Sequence, residues 1–193
     1  MTAVHARRSA AETREHVLAV TADLFYWHGI RATGVDRVAA VAGVAPTTLY
    51  RLFASKDDLV GAYLERAEAG YLEWLDSAAG AAGDRVGAVF AALLDVTAPA
   101  GFRGCPFLMA LAEFPDPAHP AHVRARRTKA AVRERMHRLT GELGVADPGR
   151  LADQLMLVME GVYGAVPAHG DLGPAAQAPA VAAALVAAAQ ARP

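Results

Sequence analysis

The sequence predicts an all-α fold, with a short three-helix module followed by a longer helical bundle. Three observations predict it. Apolar residues recur three and four positions apart in one stretch after another. No stretch alternates apolar and polar residues with the period of two that a half-buried strand needs. The glycines and prolines fall between the periodic stretches. With 54% hydrophobic and 20% charged residues, the chain is too apolar to remain a solvated, disordered polymer, and 193 residues suffice for one or two cores.

The first helix is marked by Val17, Leu18, Thr21, Ala22, Leu24 and Phe25, with Gly29 as an expected left-handed C-terminal cap. Thr33 and Gly34 lead into a short second helix carrying Val35, Val38, Ala39 and Ala42, which Gly43 ends. Pro46 opens a third helix, where its missing N–H is harmless, and Leu49, Leu52 and Phe53 give that helix a buried side. Ser55 is a natural N-cap for a long helix over 56–79, because Asp57 and Asp58 favour the positive end of the helix dipole. Asp84 caps a helix bearing Val86, Val89, Phe90, Leu93 and Leu94, which Pro99 and Gly101 close. A short apolar helix holds Cys105, Phe107, Leu108, Leu111 and Phe114, and the turn residues Pro115, Asp116 and Pro117 follow it. Helical patterns then run over 120–144, 148–169 and 174–192. These readings divide the chain into a module at 9–55 and a bundle at 56–193.

Two short helices joined at a glycine, with a third helix before them, fit a helix-turn-helix that lays its last helix in the major groove of double-stranded DNA. If Leu49, Leu52 and Phe53 face the core, Thr47, Thr48, Tyr50 and Arg51 remain for the outer side. Arg51 has the donor geometry for a guanine edge, threonine can bond or touch base edges, and the Tyr50 hydroxyl can reach a phosphate. Lys56 would meet phosphate as a point charge. A capping role is the alternative for either threonine, and partial burial for Tyr50. The first 56 residues carry seven Arg and Lys against four Asp and Glu, so this end is mildly basic although the whole chain is at −1.

The stretch 17–59 resembles the TetR family of bacterial regulators. Leu24-Phe25, Gly29, Thr33, Val35, Val38-Ala39, Ala42-Gly43-Val44, Leu49-Tyr50, Phe53, Lys56 and Leu59 all stand at family positions. The resemblance implies nine or ten helices, a homodimer, and repression of an operator relieved by a small ligand. It also implies phosphate contacts for Tyr50 and Lys56, with Thr47, Thr48 and Arg51 nearest the bases. Gly34 departs from the pattern, since the family commonly places Thr or Ser there as the cap of the second helix. Thr33 is the expected partial substitute, both as a cap and as a DNA contact. Gly104-Cys105-Pro106-Phe107 and Ala112-Glu113-Phe114-Pro115 resemble a recurrent C-terminal subtype of the same family.

A small-molecule site of largely apolar character is expected in the bundle, with Trp74, Phe90, Leu94, Phe102, Cys105, Phe107, Leu111, Glu113, Met156, Met159 and Tyr163 as lining candidates. Ordinary core packing is the alternative for the apolar ones. Cys105, at a predicted helix start, is either a sensor of electrophiles or an inert buried thiol. Glu113 is either an anchor for a cationic or hydroxylated ligand or a solvated or capping carboxylate. His119 and His122 are spaced for a metal but lack an evident third ligand, so neither metal nor cofactor is expected. Seven basic residues against Glu134 between 124 and 138 read as a solvated face or a footprint for an acidic partner.

The small side chains of the last two helices, among them Ala165, Ala168, Ala180, Ala184 and Ala188, favour close helix approach and a homodimer paired through those helices. One cysteine and a charged N-terminus suit the cytoplasm, and the final alanine-rich stretch, interrupted by Gln177 and Pro179, reads as a soluble helix rather than a membrane span. An enzyme is not expected, because G-x-S-x-G, G-x-G-x-x-G and P-loop patterns are all absent. The remaining alternative is a ligand sensor or protein adaptor of the same fold that does not bind operator DNA.

Overall fold

The computed structural model describes residues 9–80, 83–98 and 101–191. Pro99 and Arg192, expected at helix ends, lie outside the described residues, as do the basic Arg7 and Arg8. Among the described residues there are nine α-helices and no strand: α1 (Ala10–His28), α2 (Val35–Ala42), α3 (Pro46–Leu52), α4 (Lys56–Ala79), α5 (Arg85–Thr97), α6 (Pro106–Glu113), α7 (Pro120–Gly141), α8 (Pro148–His169) and α9 (Ala178–Gln190). None is long and apolar enough to cross a membrane. The chain gathers into two compact units. One holds residues up to Arg66 together with Ala110–Arg124, and the other holds Ala67–Met109 and the chain from Ala125 onward.

In the first unit, α1 starts at a capping box. The Glu12 amide donates to the Ser9 hydroxyl at 3.1 Å, and the Ser9 amide donates to the Glu12 carboxylate at 2.7 Å. Val17, Leu18, Leu24 and Phe25 form its buried side, and the Phe25 ring meets Tyr63 of α4 edge-on with centroids 5.4 Å apart. Ser55 caps α4 as the sequence predicts, accepting from the Asp58 amide at 3.0 Å. Gly29 differs from the expected left-handed cap: its φ of 86° is positive, but its ψ of 147° is extended. The chain then turns after α1 and carries Ile30 into the core, where it is 1% exposed.

In the second unit, α8 packs against α5 and α9. It buries Leu151, Leu155, Met159, Val162 and Val166, facing Val89, Phe90 and Leu93 of α5 and Ala178 and Ala182 of α9. The helix expected over 174–192 is divided into a 3-10 turn at Gly173–Gln177 followed by α9. Pro179 supplies the reason. It has no N–H to continue a helical ladder from before it, but it fits the first turn of a new helix.

The basic stretch in α7 resolves mostly into intramolecular pairs. Within the first unit Arg124 lies 3.3 Å from Glu65; within the second, Lys129 pairs with Glu160, Arg133 with Asp153 at 2.5 Å and Arg135 with Asp76 at 3.0 Å. The arginine pairs mainly face solvent and are worth little to stability, whereas the Lys129–Glu160 pair is largely buried. They account for most of the excess charge without an external acidic partner.

Candidate nucleic-acid interface and apolar cavity

The geometry of α3 is set by the turn before it. Gly43 adopts φ 64° and ψ 33°, a left-handed conformation that costs glycine nothing. Its amide donates to Ala40 O at 3.2 Å, while the Val44 amide donates to Ala39 O at 3.0 Å, the paired bonds of a Schellman motif. The chain reverses within two residues, and Pro46 then starts α3 from an extended Ala45. Leu49 and Phe53 anchor α3 at 1% and 3% exposure. With that side pinned, helical geometry directs Thr47, Tyr50 and Arg51 outward, and all three are exposed. Thr48 is half-buried and lines a groove shared with Ala10 and Thr13 of α1. Neither Thr47 nor Thr48 caps α3, whose N-cap is Ala45.

Two contacts hold α1, α2 and α3 in register from the side. His16 Nε2 lies 3.0 Å from the carbonyl of Ala42 at the end of α2, and the Arg14 guanidinium sits 5.0 Å from the centroid of the Phe53 ring. Gly34 caps α2 without any side-chain bond, as its lack of a side chain requires. Thr33 does not substitute for it. It is fully buried, and its hydroxyl donates to Gly29 O at 2.8 Å, so Thr33 is removed from the set of surface DNA contacts. Lys56 is half-buried, and its ammonium donates to Arg31 O at 3.0 Å, at the loop that precedes α2.

That loop is fastened by Glu113. Its carboxylate accepts from the Ile30 amide at 3.0 Å and the Arg31 amide at 2.7 Å, and it lies 3.5 Å from where a Cβ on Gly29 would stand. The carboxylate is thus engaged by the backbone of the loop after α1 and caps no helix end. Replacing Glu113 by alanine is expected to lower the unfolding free energy by about 1–2 kcal/mol, because the Ile30 amide loses its partner in a mostly buried setting. Urea denaturation measures this. Glutamine, which keeps one acceptor oxygen, should recover part of the loss.

The second unit holds a cavity of about 200 Å³, lined by Ala67, Tyr71 and Trp74 of α4, Val96 of α5, Phe102 in the connecting loop, Cys105, Pro106 and Phe107 at the start of α6, and Tyr163 of α8. Five predicted lining residues meet here: Trp74, Phe102, Cys105, Phe107 and Tyr163. The others do not line it. Phe90 and Met159 are completely buried core, Leu94 and Met156 are half-buried elsewhere, and Leu111 and Glu113 belong to the first unit. Tyr71 was missed, although Ala67, Tyr71 and Trp74 stand at i, i+4 and i+7 on one helix face.

Beneath the cavity runs a hydroxyl chain. Tyr163 donates to the Tyr71 hydroxyl at 2.8 Å, and Tyr71 donates to Met159 Sδ at 3.3 Å. Burial pushes both phenols above their ordinary range, so both remain protonated at neutral pH. Burial likewise raises the Cys105 thiol, outweighing the opposing effects of Lys129 and the Leu108 and Phe107 amides. A buried thiol shifted in that direction carries less of the reactive thiolate at neutral pH.

His119 and His122 are both used locally. His119 Nδ1 accepts from the Ala121 amide at 3.2 Å and its ring stacks on Phe114, while His122 Nδ1 lies 2.7 Å from Phe114 O. Among the described residues no cluster of three or more His, Cys, Asp or Glu side chains is arranged for a metal ion.

Residues 17–63 match the family model described as bacterial regulatory proteins, tetR family. The HTH-type transcriptional regulator YjdC of Escherichia coli (strain K12) is 30% identical over 153 residues, spanning 77% of this chain and 80% of that protein. Among solved structures, a TetR-family transcriptional regulator from Streptomyces coelicolor superposes with a TM-score of 0.88 at 31% identity, covering 93% of this chain and 97% of that one. A TetR transcriptional regulator from Chloroflexus aurantiacus gives a TM-score of 0.80 at 25% identity, over 94% and 97% of the two chains.

Proposed function

The chain belongs to the TetR family of bacterial regulatory proteins, and we propose that this DNA-binding transcriptional regulator is a homodimeric repressor released from its operator when a small apolar ligand enters the aromatic cavity. The observation that carries the reading is the exposure of Thr47, Tyr50 and Arg51 on a helix whose opposite side is fixed by Leu49 and Phe53. Arg51 reads a guanine edge, Thr47 touches the neighbouring base, and Tyr50 and Lys56 bind phosphate. Thr48 contributes from the edge of the groove.

Homodimerisation is supported by an apolar face that this chain leaves uncovered. Leu157 is 74% exposed and Val181 43%. Gly161, Gly164 and Ala168 continue the α8 stripe from Leu157, and Ala184 and Ala188 continue the α9 stripe from Val181; all are exposed. Apart from the adjoining backbone of α8, no atom among the described residues lies within 4 Å of where a Cβ would stand on Gly161 or Gly164, so packing against the rest of the chain does not require glycine there. Pairing α8 and α9 with their copies would make a four-helix interface, and a dimer carries two α3 helices, one for each half-site of an operator. Hydroxyl-radical footprinting tests this arrangement. Two protected segments about 34 Å apart are expected, and a single protected segment would contradict the dimeric reading.

Replacing Lys56 by alanine is expected to weaken binding to all DNA sequences alike and to reduce the slope of log affinity against log salt by about one per half-site. If Lys56 serves only the Arg31 carbonyl, stability will fall and the salt slope will not change.

A further inference from the structure

The cavity in the second unit has a shape and an electrostatic setting that discriminate between classes of ligand. Its wall is almost wholly apolar, and its volume of about 200 Å³ is small. A cavity of roughly 150 Å³ holds a benzene ring, so one or two fused rings fit here. The Tyr71 plane lies 23° from that of Trp74 and 16° from that of Phe107, with centroid separations of 5.7 Å and 6.0 Å. Rings so nearly parallel offer offset stacking to a flat guest.

An aromatic wall ordinarily suits a cation, but here that role is taken. The Lys129 ammonium lies 5.7 Å from the Tyr71 centroid and 5.5 Å from that of Tyr163, while pairing with Glu160. A second cation against these rings would meet the charge of Lys129, and Glu160, whose Oε1 pairs with that ammonium, carries one charge to balance two. An anion fares no better. Glu160 balances the charge of Lys129, and the tyrosine hydroxyls are already paired with each other and with Met159 Sδ. An entering carboxylate would lose its hydration and gain a hydroxyl donor only by breaking this chain.

We propose that the cavity takes an uncharged, planar aromatic compound of one or two fused rings, an assignment that rests on reading this cavity as the ligand site. Selectivity comes from the internal neutralisation of Lys129 and Glu160 as much as from the aromatic wall.

Isothermal titration calorimetry of the full chain with naphthalenemethanol, naphthoate and naphthylmethyl-trimethylammonium separates the classes at nearly constant shape. The neutral alcohol is expected to bind at least about tenfold more tightly than either ion. Tightest binding of the ammonium compound would overturn the proposal, as would tightest binding of naphthoate or no binding by any of the three. Ala67→Trp and, at the cavity rim, Val96→Phe should each weaken the alcohol about tenfold or more while leaving the circular dichroism spectrum unchanged. Binding that survives both fillings would place the ligand elsewhere and overturn the assignment. Repeating an operator titration with saturating naphthalenemethanol separates this proposal from the release reading. If the alcohol binds and operator affinity is unchanged, the ligand class stands and release fails. If the alcohol does not bind while operator binding persists, the class fails alone.

Discussion

Leu157→Arg is expected to convert the dimer into a monomer and to reduce operator affinity by at least about a hundredfold. Leu157 is the most exposed of the large apolar side chains that stand out from the surface, at 74% in the single chain. Such a residue contributes about 1.5–3 kcal/mol when buried, and a two-fold interface buries two copies. Arginine removes that gain and brings a charge into the contact, where desolvation costs several kcal/mol more unless a partner is found. Because Leu157 is exposed in the single chain, the subunit itself should fold unchanged. Operator affinity falls because two half-sites are no longer engaged by one assembly, so the second recognition helix loses its high effective concentration. Sedimentation equilibrium gives the mass, and anisotropy on the same sample gives the affinity. A variant that remains dimeric would show that α8 and α9 pair in another register or not at all.

Arg51→Ala is the second large expected effect, and it acts on specificity. A bidentate arginine–guanine contact is worth roughly 1–3 kcal/mol, and a symmetric dimer makes it twice, so the operator loses about 2–6 kcal/mol in total. Affinity for unrelated DNA should change much less, since one phosphate-neutralising charge among several is removed. The ratio of operator to non-specific affinity therefore collapses. Equal losses on both kinds of DNA would instead make Arg51 a phosphate contact. Stability should be unaffected, because Arg51 is exposed on the outer side of α3.

The parts of this structure legible in the sequence were those governed by local rules. The Ala42-Gly43-Val44 reversal, Pro46 at a helix start and the Ser55 cap each depend on residues within a few positions of one another. Thr33 was misread because its position beside Gly34 suggests a cap, whereas the chain leaving Gly29 folds its hydroxyl back onto the end of α1. The role of Glu113 depends on amides 82 and 83 residues away, which no periodicity reports. The basic run in α7 has partners such as Glu65, Asp76, Asp153 and Glu160 distributed over other helices, so its neutralisation is a tertiary fact. Phe90 and Phe107 carry the same apolar signal in the sequence. Only packing decides that the first fills core and the second lines space. Tyr71 is different, because its helical spacing with Ala67 and Trp74 is a local signal present in the sequence.

The most direct test of the central claim is a fluorescence-anisotropy titration of the full chain against duplex DNA from upstream of its own coding region, with a scrambled duplex as reference, across a range of salt. Preference for the upstream sequence is predicted to persist as salt rises, while affinity for both duplexes declines steeply through loss of the counterion-release contribution. Equal affinity for the two duplexes at every salt concentration, or no binding to either, would contradict the account.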